Sequence, residues 1–233
     1  ENDLRIYKNG VLIEQYLKNN QNNLAIKQPE RRTYRTITLG GDIASGGAWN
    51  NFMQGVISYF RIWDGRALSA SEVGVLYNKR NVVNHHVRVN TNIDSNYLFY
   101  PSYAWDFRNE TGSDTVYDMV NGITAAPIND VVSTSEGMIL GPSNSTGTND
   151  YISIGDLEMG GNPVSFELYL KISNPNNNTY LYIFGTDNHD IAIREYSNNK
   201  RLQIYSGNGF YSGTTSTSAI LENDSFMHLV FTI

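Results

Sequence analysis

The stretch Val164-Ser165-Phe166-Glu167-Leu168-Tyr169-Leu170-Lys171-Ile172 alternates from one side chain to the next. Successive side chains on a strand point to opposite faces. Val164, Phe166, Leu168, Leu170 and Ile172 therefore share one face, and Ser165, Glu167, Tyr169 and Lys171 share the other. A helix would scatter the same residues around its axis. This period of two defines a half-buried β-strand.

The same period returns in Phe226–Ile233. Met227, Leu229, Phe231 and Ile233 form an apolar face opposite His228 and Thr232. That places His228 on the non-core side of its strand. Leu4–Lys8, Asn9-Gly10 and Val11–Ile13 read as a hairpin, because Asn-Gly accepts the positive φ of a two-residue type I′ turn. Further strands are predicted at 36–39, 55–63, 97–107, 138–140, 151–154, 180–184, 190–196 and 202–205. Many short strands separated by turns predict a sandwich or a barrel.

One helix is predicted. Ser69-Ala70-Ser71-Glu72 is a capping box, and Leu68 with Val73 fits the hydrophobic staple. The helix runs to about Asn78, with Val73, Leu76 and Tyr77 toward the buried side. Residues 79–96 are polar and Asn-rich and read as a connector. Residues 141–150 are a second turn-rich stretch.

Composition narrows the function classes. The 233 residues carry a net charge of −6, with only 17% charged residues. No basic run tracks a phosphate backbone, which argues against nucleic-acid binding. No apolar run approaches the roughly 20 residues of a membrane span, so no membrane insertion is expected. Cysteine is absent, which removes disulfides, thiolate metal sites and cysteine catalysis. The 16 tyrosines and the abundant Asn, Gly, Ser and Thr suit strands and turns.

Particular residues now suggest a family. Gly55–Trp63, with its Phe60-Arg61-Ile62-Trp63 core, precedes Ala67-Leu68-Ser69-Ala70-Ser71-Glu72. This segment resembles the closing part of laminin-G-like, concanavalin-type jelly-roll domains. Trp105-Asp106-Phe107-Arg108 resembles the family's first strand, Val116-Tyr117-Asp118 the turn after it, and Gly137–Leu140 a later strand. Tyr151–Ile154 and Phe166-Glu167 resemble the strands that follow. Phe226–Ile233 is similar to a strand in which tryptophan usually stands at the position of Phe226. The family continues with a hairpin that this sequence carries at Leu4–Gly10.

The resemblance implies an all-β, two-sheet antiparallel jelly-roll sandwich (concanavalin A-like) with one short helix. It also implies a rotated order. Residues 1–95 match the C-terminal half of such a sandwich and 96–233 the N-terminal half, together one domain equivalent. The expectation is one period of a tandem array or polymer. Circular permutation within one domain is the alternative.

Candidate sites follow from residue chemistry. Related jelly rolls include glycoside hydrolases, which need two positioned carboxylates. No close carboxylate set appears, and Asp156-Leu157-Glu158 runs into a Met159-Gly160-Gly161 turn. His85, His86, His189 and His228 belong to no nucleophile motif, so no enzyme activity is expected. Asp187, Asn188 and Asp190 offer hard oxygen ligands for Ca2+ on a turn, or else stabilise that turn. No cofactor is required. Trp49, Phe210 and Tyr211 stand in Gly-rich loops as glycan-stacking candidates, or as plugs folded inward. Asn109, Asn144, Asn177 and Asn223 open N-glycosylation sequons. Asp106 and Asp118 read as structural.

The expected role is a non-catalytic extracellular structural or adhesive module at a cell surface. It would be the repeat unit of a larger glycoprotein or filament, its half-sandwiches completed by neighbouring copies of itself. The alternative is a lectin module that binds cell-surface or matrix glycans, with calcium.

Overall fold

The structure, a computed structural model, describes residues 3–16, 29–35, 37–41, 52–81, 100–108, 115–141, 150–173, 182–186, 191–196, 199–206 and 214–233. These residues form an all-β sandwich of two eight-stranded antiparallel sheets with one helix.

The first sheet holds β1 (Leu4–Lys8), β2 (Val11–Tyr16), β5 (Gly55–Asp64), β6 (Tyr103–Asp106), β9 (Val132–Thr134), β10 (Gly137–Leu140), β13 (Val164–Ile172) and β18 (Phe226–Thr232). Its order is β2-β1-β18-β13-β5, and beyond β5 it forks. β10 and then β9 lie beside the first part of β5, and β6 lies beside the second part. The fork falls at Ser58, whose carbonyl accepts from Phe107 N at 2.8 Å and whose hydroxyl donates to Glu136 O at 2.5 Å. Glycine is required at 137: φ is +137°, and a Cβ there would stand 2.3 Å from Ile57 O.

The second sheet holds β4 (Ile37–Leu39), β7 (Val116–Tyr117), β8 (Thr124–Ile128), β11 (Tyr151–Ile154), β14 (Tyr182–Thr186), β15 (Ile191–Tyr196), β16 (Arg201–Ser206) and β17 (Thr214–Thr215). Its order is β17-β16-β15-β14-β4-β11-β8-β7. β3 (Arg32–Tyr34) and β12 (Leu157–Met159) make a separate two-stranded ladder. Strands from 1–95 and from 96–233 interleave in both large sheets. Ile6 pairs with Phe231, Phe60 with Leu168, and Leu39 with both Ile152 and Phe184.

An aromatic stack joins the sheets. Phe184 of the second sheet lies 5.3 Å from Phe60 and 5.1 Å from Phe166 of the first, ring centre to ring centre. Trp105 stacks on Phe60 at 5.8 Å, and its indole N–H donates to Ile123 O at 3.0 Å. Each fully buried side chain of this size contributes about 1.5–3 kcal/mol of burial free energy.

The helix α1 (Ala70–Asn78) forms as the capping box predicts. Glu72 N donates to Ser69 Oγ at 3.3 Å, and Ser69 N donates to Glu72 Oε2 at 2.7 Å. Val73 and Leu76 are buried with Leu68, Tyr7, Trp63 and Val230. This is a second apolar cluster, on the outer face of the first sheet. Val230 and Trp63 alternate along their strands with the main-core residues Leu229, Phe231 and Ile62. The first sheet is therefore covered on both faces here.

Six short strands carried no readable period. β8 contains Ala125-Ala126-Pro127, yet it pairs with β11 along 125–128. β7 pairs only with Thr124 and Ala125. Pro127 thus lies past the end of β7, where a missing amide is tolerated. β12 ends at Met159, where the predicted Met159-Gly160-Gly161 turn begins, and Gly160 and Gly161 have φ of 100° and 75°; β3, β9 and β17 are two or three residues long.

Candidate functional site

Glu167, on the face of β13 opposite the main core, is fully buried. An isolated carboxylate there would be very costly. Three side chains offset that cost. Arg61 Nη1 donates to Oε2 at 3.1 Å, Tyr59 Oη donates to Oε1 at 3.2 Å, and His228 Nε2 lies 2.8 Å from Oε1. The register explains the meeting: Glu167 pairs with Arg61 of β5, and Tyr169 pairs with both Tyr59 and His228. Burial alone would raise the Glu167 pKa, but the Arg61 charge and the His228 hydrogen bond bring it below the ordinary value. Tyr59 is pushed well above the ordinary tyrosine range, by burial first and then by the Glu167 charge.

The helix and the first hairpin close this cluster. The Tyr77 ring lies 5.7 Å from the His228 ring, and the Arg80 guanidinium sits 4.0 Å over Tyr77. His228 N donates to Asn9 Oδ1 at 3.0 Å, and Asn9 N donates to His228 O at 2.8 Å. Asn9 and Gly10 have φ of 51° and 81°, as the predicted turn requires. His228 Nδ1 is buried with no partner. The tautomer with its proton on Nε2 donates to Glu167 and leaves Nδ1 a bare acceptor, the cheaper group to orphan. Placing His228 on the non-core face was right in direction, but that face is under α1 rather than in water.

Glu167 cannot serve as a general base, which must reach a substrate proton at hydrogen-bond distance. Its oxygens are occupied and shielded. The other structural acids behave alike. Asp118 accepts from Val120 N at 3.2 Å and also from Ala104 N and Asn121 N. Asp106 pairs with Arg108, both nearly buried.

A second buried carboxylate is less well served. Glu195 of β15 is fully buried. Its Oε1 accepts from Lys200 N at 3.1 Å, and its Oε2 has no partner. Burial lifts its pKa to about 7, against a small opposing pull from Lys200.

Two surface features complete the inventory. Tyr169 and Phe226 stack at 5.0 Å, both partly exposed, with Lys171 Nζ 5.0 Å from the Phe226 ring. Val11, Leu12 and Ile13 of β2 are exposed.

Most site residues predicted from sequence fall elsewhere. Asp187, Asn188 and Asp190 lie outside the described residues, as do Trp49, Phe210 and Tyr211. Asn109, Asn144 and Asn177 do too, as do His85, His86 and His189. Asn223 is described: it is exposed, and the next residue, Asp224, has φ of 53° and donates from its amide to Ile172 O at 2.8 Å. Among the described residues, no three His, Asp or Glu side chains converge as a metal site. None of their helices is long and apolar enough to cross a membrane. The Glu167 cluster was missed because its members are spread over 170 positions of sequence, from Tyr59 to His228. The available signal was a charged residue at the centre of a strongly alternating strand. Compared with protein families, curated proteins and solved structures, the chain matches none.

Proposed function

We propose that this chain is a non-catalytic structural or adhesive module of an extracellular glycoprotein or filament, built as a laminin-G-like jelly roll. The use of the acidic side chains carries this reading. Glu167, Asp118, Asp106 and Asp150 all accept hydrogen bonds from groups that hold the sandwich together. A module of this kind acts through its surface and its edges. Strands of residues 1–95 pair with strands of residues 96–233 within the chain, which supports assembly of whole sandwiches side by side. Negative-stain imaging of the native material tests the proposal. The expected result is beaded arrays or filaments with a repeat of one domain, on the order of tens of ångströms. Dispersed particles that adhere to nothing and cleave a glycoside would overturn it.

The Tyr169–Phe226 pair favours a second reading, a lectin module. Partly exposed aromatic faces beside Lys171 suit the apolar face and the hydroxyls of a sugar. A glycan array probed with and without Ca2+ separates the two. Binding lost in Tyr169→Ala would move the assignment to the lectin, and blank arrays would remove it.

A further inference from the structure

Residues 214–221 carry the chain from the second sheet toward β18 of the first, and they bond to both. On the second sheet, β17 pairs with β16, Ser216 N donates to Leu202 O at 2.7 Å, and Leu202 N donates back to Ser216 Oγ at 3.0 Å. Ile220 N and Leu221 N both donate to Lys200 O, at 2.8 and 3.0 Å. On the first sheet, Glu14 Oε1 accepts from Ser218 N at 2.9 Å and from Thr217 Oγ1 at 3.0 Å. The Tyr16 hydroxyl binds the other oxygen of Glu14 and lies 3.1 Å from Thr215 O. Thr217, Ser218 and Ala219 are exposed, with buried Ser216 on one side of them and buried Ile220 and Leu221 on the other. The segment has no charged residue of its own. Each sheet holds it in part through a carboxyl. Glu14 does so directly. Glu195 does so through Lys200, whose N–H donates to Glu195 Oε1 at 3.1 Å while its carbonyl takes Ile220 and Leu221.

We propose that residues 214–221 are a strap across the side of the sandwich, which opens as a unit when Glu14 takes up a proton or Glu195 loses one. The two carboxyls act in opposite senses. Burial alone would raise the Glu14 pKa, but hydrogen bonds from Tyr16, Ser218 and Thr217 bring it below the ordinary value. Ionised Glu14 therefore holds the strap, and the hold is lost as pH falls through its folded pKa. Glu195 titrates at about 7 because burial raises it, against a small pull from Lys200. Releasing Ile220 and Leu221 frees the Lys200 turn and lets water reach the unpartnered Oε2, which relieves the cost of a buried charge. The strap is tightest between the two titrations, from the ordinary carboxylate range up to about pH 7. The neighbouring charges are engaged elsewhere. Leu202 stands opposite Glu195, Arg201 stands opposite Tyr196, and Arg194 bonds to Gln203. On the side of β1, Asp3 pairs with Arg5, and Glu222 after the strap pairs with Lys8.

Hydrogen exchange of the whole chain at about pH 6 and about pH 8, corrected for intrinsic rates, tests this. The amides of Ser218, Ile220 and Leu221 should exchange at least about a hundredfold faster than that of Leu168 in the middle of β13, the mark of an opening smaller than unfolding. Their opening should increase about tenfold from the lower pH to the higher. In Glu195→Gln that increase should vanish. Glu14→Gln should raise the opening about tenfold at both pH values, because it removes a charge-assisted hold. Strap amides that exchange no faster than Leu168 would open only with the whole fold, and that overturns the proposal. Opening that ignores pH in the native chain overturns the part given to Glu195. Unchanged exchange in Glu14→Gln overturns the part given to Glu14.

Discussion

Replacing Glu195 by Gln should make this protein's stability hold up better as pH rises from acid to alkaline, so that the variant gains on the native chain across that range. The carboxyl is fully buried, with Oε1 on Lys200 N and Oε2 on nothing. It titrates near 4.5 unfolded and about 7 folded. The folded state therefore holds the proton more tightly. Stability contributed by this group is complete below pH 4.5, falls as pH rises from 4.5 to about 7, and is level above that. At about 1.4 kcal/mol for each tenfold change in proton affinity, the loss is at most about 3.5 kcal/mol. That is a ceiling, because Glu195 is the penultimate residue of β15 rather than mid-strand.

Gln keeps an acceptor for Lys200 N but places an amide NH2 where Oε2 stands, and an orphaned amide costs about 1–3 kcal/mol. That cost does not vary with pH, so it cancels when two pH values are compared. Urea unfolding of both proteins at about pH 4.5 and about pH 8 isolates the titration. The variant's advantage should grow by up to about 3 kcal/mol between the two. For a chain of this length, each kcal/mol moves Tm by about 2–4 °C. Parallel stability curves across that window would refute the assignment of a raised pKa to Glu195.

Glu167→Gln leaves Arg61 charged and buried, and should cost about 3–5 kcal/mol by urea unfolding; a paired Glu167→Leu/Arg61→Met variant should recover most of it. Because the folded pKa of Glu167 is depressed, its contribution is present above the ordinary carboxylate range and lost as pH falls below it. Acid titration followed by near-ultraviolet circular dichroism should show that loss in the native chain and not in the paired variant. Gly10→Ala must accept φ of 81° and a Cβ 3.0 Å from Tyr77 Cβ; about 1–2 kcal/mol of lost stability is expected, measured by thermal unfolding. Ser69→Ala removes the cap of α1 and should cost about 1 kcal/mol, with faster hydrogen exchange at Glu72.

Legibility followed the strength of local pattern. β13 and β18 were readable because each has one face made wholly of large apolar residues. α1 was readable from four residues, since a capping box is a local hydrogen-bond arrangement. β8 was not, because Ala-Ala-Pro has no period and its place is set by β11, a strand more than 20 positions away. How residues 1–95 pair with residues 96–233 was not legible. Ile6 against Phe231 joins residues 225 positions apart, and no local signal reports such a pairing. The glycan and calcium candidates were chosen from turns. The Tyr169–Phe226 pair escaped because it lies on the face of a sheet, across two strands.

The two buried glutamates show how far a residue type underdetermines its chemistry. Glu167 and Glu195 are both buried, yet their proton affinities move in opposite directions. Desolvation pushes both upward, and the difference lies in what answers it. Glu167 meets a guanidinium, a phenol and an imidazole, brought together because β5, β13 and β18 are adjacent in register and α1 covers them. Glu195 meets one backbone amide of the turn that follows its own strand. The first arrangement stabilises the fold as pH rises through the carboxylate range, and the second destabilises it over the next few pH units. Their sum is a stability maximum on the acid side of neutrality. Glu195→Gln should remove its alkaline limb and leave the acid limb in place.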